Sequence, residues 1–301
     1  MKKHHLLALA LPLLAVAACT NSSTMSENID WQGHRGARGL LPENTVPAFL
    51  KALEFPEVRT LELDVVLSKD HQLIVSHEPW MSHHICSHSN TMPVRESQED
   101  FLNIYQMTYQ QILTFDCGSR GHERFPEQVP QIAHKPSFPE VVEAVNAYCA
   151  ENNRPLPHYN IEIKAEADWD NKFTPPPAEY VTAVLACLDS LELNGRLNIQ
   201  SFDTRILEEV RQRAPEIPLA YLVDSVGSVA GSLEALSFKP EIYSPNFAMV
   251  NRNVVETVHQ LNMRLIPWTV NEIAAMQTLI EIGVDGIITD YPNRIQAALN
   301  Q

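Results

Sequence analysis

Glu62 and Asp64, in the run Leu61-Glu62-Leu63-Asp64-Val65, stand two positions apart, so on a strand both carboxylates project to one face while the apolar side chains take the other. Two carboxylates in a low-dielectric interior repel, and a bound cation compensates them most directly. Asn160-Ile161-Glu162-Ile163-Lys164 repeats the spacing, and Glu162 adds a third oxygen donor of the kind that a hard divalent ion takes. His34-Arg35-Gly36 sets an imidazole beside a cation and a glycine that permits close approach of a ligand. His77, in Ile74-Val75-Ser76-His77-Glu78, supplies a second imidazole. Two imidazoles, a divalent ion and the cations Arg35 and Lys164 are the parts that cleave a phosphodiester: one base, one acid, and positive charge for the phosphoryl oxygens. His83, His84 and His88 form another histidine group, but they fall in a polar loop and are assigned no metal. No Cys-x-x-Cys spacing suggests zinc.

Elements that could position these residues follow from hydrophobic periodicity. Strands are predicted at Trp31–His34, Thr60–Leu67, Leu73–His77, Tyr159–Lys164, Leu197–Phe202, Pro218–Val223, Ile242–Pro245, Leu265–Val270 and Gly286–Asp290. The link Ser68–Gln72 is too short for a parallel crossover, so the second and third runs must form a hairpin, and eight parallel strands remain. Helices are predicted at Asn44–Leu53, Phe138–Cys149, Ala178–Leu191, Thr204–Arg213, Val229–Leu236, Asn251–Leu261, Glu272–Ile282 and Asn293–Leu299. Ser137 with Glu140 has the spacing of a capping box, and Gly195 and Gly283 stand where helix C-terminal glycines belong. The fold class is α/β, a TIM (β/α)8 barrel, whose strand ends at one mouth carry the chemistry. Residues from about Pro79 to Pro136 break the alternation and read as an insertion over one barrel face, with a helical stretch at Thr108–Thr114.

The chain has 301 residues, 45% hydrophobic, and a formal charge of -15, an acidic excess that repels nucleic-acid phosphate; no nucleic-acid partner is expected. Lys2 and Lys3 followed by the apolar run Leu6–Ala18 read as a secretory signal. At ~1.5 Å per residue that run reaches about 20 Å, too short for a ~30 Å hydrocarbon core. Val16-Ala17-Ala18-Cys19 resembles the bacterial lipoprotein box, which implies a signal peptide at 1–18, lipidation of Cys19, a flexible tether over 19–29 and a catalytic domain over 30–301. The expected location is the periplasmic face of the cell envelope, with the outer membrane favoured because Thr20 is not an aspartate of inner-membrane retention. Cys86 and Cys117 flank one segment and are the favoured disulfide pair, whereas Cys149 and Cys187 fall in helical patterns as disulfide partners or buried thiols.

The ordered series His34-Arg35-Gly36, Pro42-Glu43-Asn44-Thr45, Glu62-Leu63-Asp64-Val65, Ser76-His77-Glu78, Ile161-Glu162-Ile163-Lys164, Gln200-Ser201-Phe202, Trp268-Thr269-Val270-Asn271 and Asp285-Gly286-Ile287-Ile288-Thr289-Asp290 resembles glycerophosphodiester phosphodiesterases over roughly residues 31–295. Two departures stand out: Glu78 follows His77 where the family commonly has Asp, and Phe115-Asp116-Cys117-Gly118 takes the place of a Leu-Asp-x-Gly turn. The resemblance implies that Glu62, Asp64 and Glu162 ligate Ca²⁺ or Mg²⁺, that His34 and His77 act as base and acid, and that Arg35 and Lys164 hold the phosphate. It also implies that Glu43 orients His34 or Arg35 and that Trp268 lines a glycerol pocket. The substrate would be a small glycerophosphodiester, cleaved to sn-glycerol 3-phosphate and an alcohol. The alternatives are a lysophospholipid or glycerophosphoinositol at the same site, decided by an outer wall of the insertion and the Asp168–Pro177 loop, or a non-catalytic phosphodiester-binding envelope protein.

Overall fold

The computed structural model describes residues 29–300. The expected signal peptide, Cys19 and the tether as far as Asn28 lie outside them, while Ile29, at the expected end of the tether, is buried in the core.

The strands are β1 (Asp30–Gly33), β2 (Val58–Leu67), β3 (Leu73–Val75), β4 (His158–Ile163), β5 (Leu197–Ser201), β6 (Leu219–Val223), β7 (Ile242–Pro245), β8 (Arg264–Leu265) and β9 (Gly286–Thr289). Neighbours run β8-β7-β6-β5-β4-β2-β1-β9, and β3 pairs antiparallel with β2, Val65 opposite Val75, as the short link requires. β8 keeps only Leu265 of its expected six residues because Pro267 has no N–H to give a ladder. The seam closes instead through single backbone bonds, Asp285 N to Leu265 O (2.9 Å), Ile288 N to Pro267 O (3.1 Å) and Val270 N to Ile288 O (2.9 Å). The result is a (β/α)8 barrel. Its helices are α1 (Val46–Leu53), α2 (Tyr109–Ile112), α3 (Phe138–Glu151), α4 (Pro177–Asp189), α5 (Thr204–Arg213), α6 (Val229–Leu233), α7 (Arg252–Gln260), α8 (Ile273–Ile282) and α9 (Ile295–Leu299). None of these is long and apolar enough to cross a membrane.

Outward-facing strand residues such as Leu61, Leu63, Ile161 and Ile199 pack with Phe49, Val141, Tyr180 and Leu207 of the helices into the main core, which removes their apolar surface from water. The barrel interior divides. Gln32, Asn160, Asn198 and Gln200 fill one side and are joined by side-chain hydrogen bonds, whereas Ala220, Ile242, Ile266 and Ile288 form an apolar cluster on the other.

Local signals hold in part. Ser137 caps α3 by accepting from Glu140 N (3.3 Å), but the reciprocal half of the expected capping box is missing, because the Glu140 carboxylate is drawn to Tyr109 Oη and His134 Nε2. Gly283 ends α8 with φ 89°, where an L side chain is strained. Gly195 is no helix cap: α4 stops at Asp189, and the glycine sits in the turn that leads into β5.

The insertion has a small core of its own, in which Val66 and Ile74 of the hairpin meet Met81, Ile85, Val94, Ile104 and Ile112. The Cys86–Cys117 disulfide staples it, and Cys149 and Cys187 are free. Its expected helix shrinks to the single turn of α2. The Asp168–Pro177 loop braces the insertion from outside, Trp169 and Phe173 packing on Trp80 at centroid distances of 5.9 and 5.3 Å.

Candidate active site

Strand alternation carries Glu62 and Asp64 on β2 and Glu162 on β4 into the barrel, Asp64 in register with Glu162. One ligand atom from each lies within 4.8 Å of the others, and this is the one such group of potential metal ligands among the described residues. Glu62 accepts from Gln200 Nε2 (2.8 Å) and from the backbone N of Arg35 (2.9 Å). Asp64 Oδ2 accepts from Asn44 Nδ2 (2.8 Å), but the buried Oδ1 has no hydrogen-bond partner, with Lys164 Nζ 4.0 Å away. Burial and the neighbouring Asp64 and Glu162 charges push the Glu62 carboxyl well above its usual range. Burial acts on Asp64 in the same sense, yet Arg35, His77 and Lys164 outweigh it and hold that carboxyl low. An orphaned acceptor and a mutually repelling acid trio fit a hard divalent cation by the chemistry of the donor set.

The two imidazoles share a pattern. His34, just past the end of β1, sets Nδ1 2.6 Å from Asp290 Oδ1 and leaves Nε2 facing the cavity, 3.9 Å from Glu62. Burial, then Arg38, lowers its pKa to about 4 against the pull of Asp290, so the ring is neutral at pH 7. Asp290 also accepts from Arg38 Nε (2.8 Å) and Asn271 Nδ2 (2.7 Å). His77, two residues beyond β3, sets Nδ1 2.9 Å from Glu78 Oε1. Burial favours the neutral Glu78 acid, but His77 and Lys135 hold its carboxyl below the usual range. The buried Lys135 donates to Ser76 Oγ (2.6 Å), which itself donates to Glu78 O (2.6 Å), so the turn that carries His77 is tied down. Glu78 in place of the family aspartate thus still reaches the ring.

Between β1 and α1 the chain turns through Gly36 at φ 82°, where a Cβ would lie 2.5 Å from the backbone of Ala48. That tight turn aims Arg35 inward, Nη1 on Glu43 Oε1 (2.8 Å) and Nε 3.2 Å from Asp64. Glu43 therefore orients Arg35 and not His34. Lys164 donates to Glu162 Oε1 (2.7 Å).

His34, Arg35, Glu43, Glu62, His77, Glu162, Lys164 and Trp268 line one cavity of about 360 Å³, with Asp64 directly behind. Trp268 is fixed by its Nε1 to Ser244 O (2.8 Å) and meets Phe202 edge-on at 5.4 Å. Of His83, His84 and His88 only His84 reaches this cavity; His83 is bound to Glu99 (2.7 Å) and His88 packs on Phe115. The Asp168–Pro177 loop lines none of it. Sequence reasoning gave no role to Arg38, Asn44, Lys135, Gln200, Asn271 or Asp290. Four of these stand in the family-like motifs, which was the available signal; Arg38 and Lys135 stand in loops with none.

Residues 34–294 match the model of the glycerophosphoryl diester phosphodiesterase family. This chain belongs to that family. It is 27% identical to a glycerophosphodiester phosphodiesterase of Bacillus subtilis (strain 168), over 97% of each chain. A crystal structure of a Silicibacter pomeroyi DSS-3 protein assigned the same activity is similar at 30% identity and a TM-score of 0.78, covering 90% of this chain and 92% of that one. An Oleispira antarctica phosphodiesterase, solved with its product sn-glycerol-3-phosphate, shares the fold at 20% identity and a TM-score of 0.68, over 90% and 97% of the two chains. Family membership makes the chain an enzyme, a phosphoric diester hydrolase of the glycerophosphodiester type.

Proposed function

We propose that this enzyme cleaves glycerophosphodiesters to sn-glycerol 3-phosphate and an alcohol, with Glu62, Asp64 and Glu162 holding Ca²⁺ or Mg²⁺. The carrying observation is one cavity in which two imidazoles, each with Nδ1 on a carboxylate, flank an acid trio and two cations. When bound, the ion supplies positive charge to the phosphoryl oxygens. Arg35 and Lys164 add theirs, and Glu43 keeps Arg35 in place. His34 Nε2 accepts the proton of the neighbouring glycerol hydroxyl, whose oxygen bonds to phosphorus as the bond to the alcohol breaks. His77 Nε2 gives its proton to the departing oxygen. Water opens the cyclic ester with the two roles reversed. Trp268 packs against the glycerol carbons. The product bound to the Oleispira antarctica protein supports this choice of substrate.

The test is glycerol 3-phosphate release from glycerophosphocholine, read by a stereospecific dehydrogenase, with and without chelator. We expect release that a chelator abolishes and Ca²⁺ or Mg²⁺ restores; no release with either ion leaves a binding protein. The amino-terminal residues support anchoring through lipid on Cys19 at the periplasmic face, the outer membrane favoured, and the disulfide suits that oxidising compartment. Fatty-acid labelling of the full chain, lost in Cys19→Ala, tests it.

A further inference from the structure

The diester has two ends, and the cavity offers them unlike walls. Phe202, Leu222, Trp268 and Ile288 make one side apolar, which suits the carbon face of glycerol. The facing side comes from the insertion, which contributes Ser82, His84, Ile85, His122 and Arg124 and no carboxylate. The other cations of the cavity are committed: Arg35 to Glu43, Arg38 to Asp290 and Lys164 to Glu162. Arg124 forms no ion pair among the described residues, and its guanidinium lies 5.7 Å from the Phe125 ring. The backbone N of Arg124 donates to His122 Nδ1 (3.2 Å), so the proton of that imidazole sits on Nε2 as a free donor.

On the proposed reading of the site, we infer that the preferred leaving alcohol carries a second anionic group, received by Arg124 and His122. A quaternary ammonium placed there would meet the like charge of Arg124, with Glu43 already paired to Arg35 and Glu123 in the adjoining pocket, whereas a phosphate would meet a planar donor fork and an N–H. The insertion therefore sets the substrate class, and the barrel sets the reaction.

Three diesters test the second charge: glycerophosphoglycerol, bis(glycerophospho)glycerol, which extends the same alcohol by one glycerophosphoryl group, and glycerophosphocholine. We expect kcat/KM for bis(glycerophospho)glycerol to exceed that for glycerophosphoglycerol at least tenfold, beyond the twofold owed to its two equivalent ends. Glycerophosphocholine should be the poorest of the three. Arg124→Gln should bring the first ratio down to about two, and Arg124→Lys should retain most of it. The preference should also fall as salt rises, because the contact is open to solvent. Equal constants for all three diesters, or a ratio unmoved by Arg124→Gln, overturn this inference alone. Hydrolysis of none of them overturns it together with the function on which it rests.

Discussion

The two halves of the barrel share a backbone and differ in what they bury. Inside β1, β2, β4 and β5 stand Gln32, Thr60, Glu62, Asp64, Asn160, Glu162, Asn198 and Gln200, all buried. Inside the other half Ala220, Ile242, Ile266 and Ile288 pack together beneath Trp268. Buried polar groups are tolerated where each finds a partner, and in the first half amides supply partners to the acids at the mouth. The strands of the second half bury no such chain of amides, so most of its mouth offers packing surface. From beyond β8 and β9 it lends Asp290, which Asn271 steadies (2.7 Å) and which crosses the β1–β9 pairing to hold His34, with Thr269 Oγ1 3.4 Å from the same Nδ1. Chemistry is thus confined by where hydrogen-bond partners exist and not by the symmetry of the fold.

That contrast can be broken at its strongest point by Glu62→Gln, which should lower kcat roughly 10³-fold or more. Melting without metal should change little, because a repelling charge leaves with the carboxylate, while the rise in Tm on adding Ca²⁺ or Mg²⁺ should vanish. Calorimetric scans with and without the ion check both. Asp290→Asn comes next, with kcat down by about 10²- to 10⁴-fold through the lost orientation of His34. Its pH signature has a definite sign. Asp290 is held below the usual carboxylate range, burial opposing but His34 and Arg38 prevailing, so it stabilises the fold above the unfolded value of about 3.9 and loses that contribution as pH falls. The stability gap between wild type and variant should therefore be full above pH 5 and narrow below pH 4 in urea titrations. In the apolar half, Ile242→Ala should cost about 2–4 kcal/mol of stability with kcat altered less than twofold. A large kcat loss there would show that the halves are coupled. Asn198→Ala, which removes the donor to Asn160 Oδ1, should cost about 1–2 kcal/mol by denaturant midpoint and weaken metal binding only slightly.

Much of the polar half was legible because strand alternation exposes an acid among apolar residues, as at Glu62, Asp64 and Glu162. The hairpin count also placed β3 correctly, since five residues cannot cross a barrel. What resisted reading was long-range pairing. His34 and Asp290 are 256 positions apart, and no local period links them. The insertion was opaque for another reason: its elements are single turns held by a disulfide and a small core, too short to show periodicity. Glu140 illustrates the limit of local rules, its capping-box spacing being overridden by Tyr109 of the insertion, 31 positions away.

The amides along the barrel axis have a polarity imposed by their ends. Ionised, Glu62 at the mouth and Asp30 at the floor can only accept, so Gln200 and Gln32 each turn an NH₂ outward to them, at 2.8 and 2.9 Å. Their oxygens are then left pointing inward, and both are served by the same Asn160 Nδ2, at 3.0 and 2.8 Å. Neither glutamine can flip without setting oxygen against oxygen. One asparagine in mid-barrel is the keystone on which the orientation of acids at opposite ends depends.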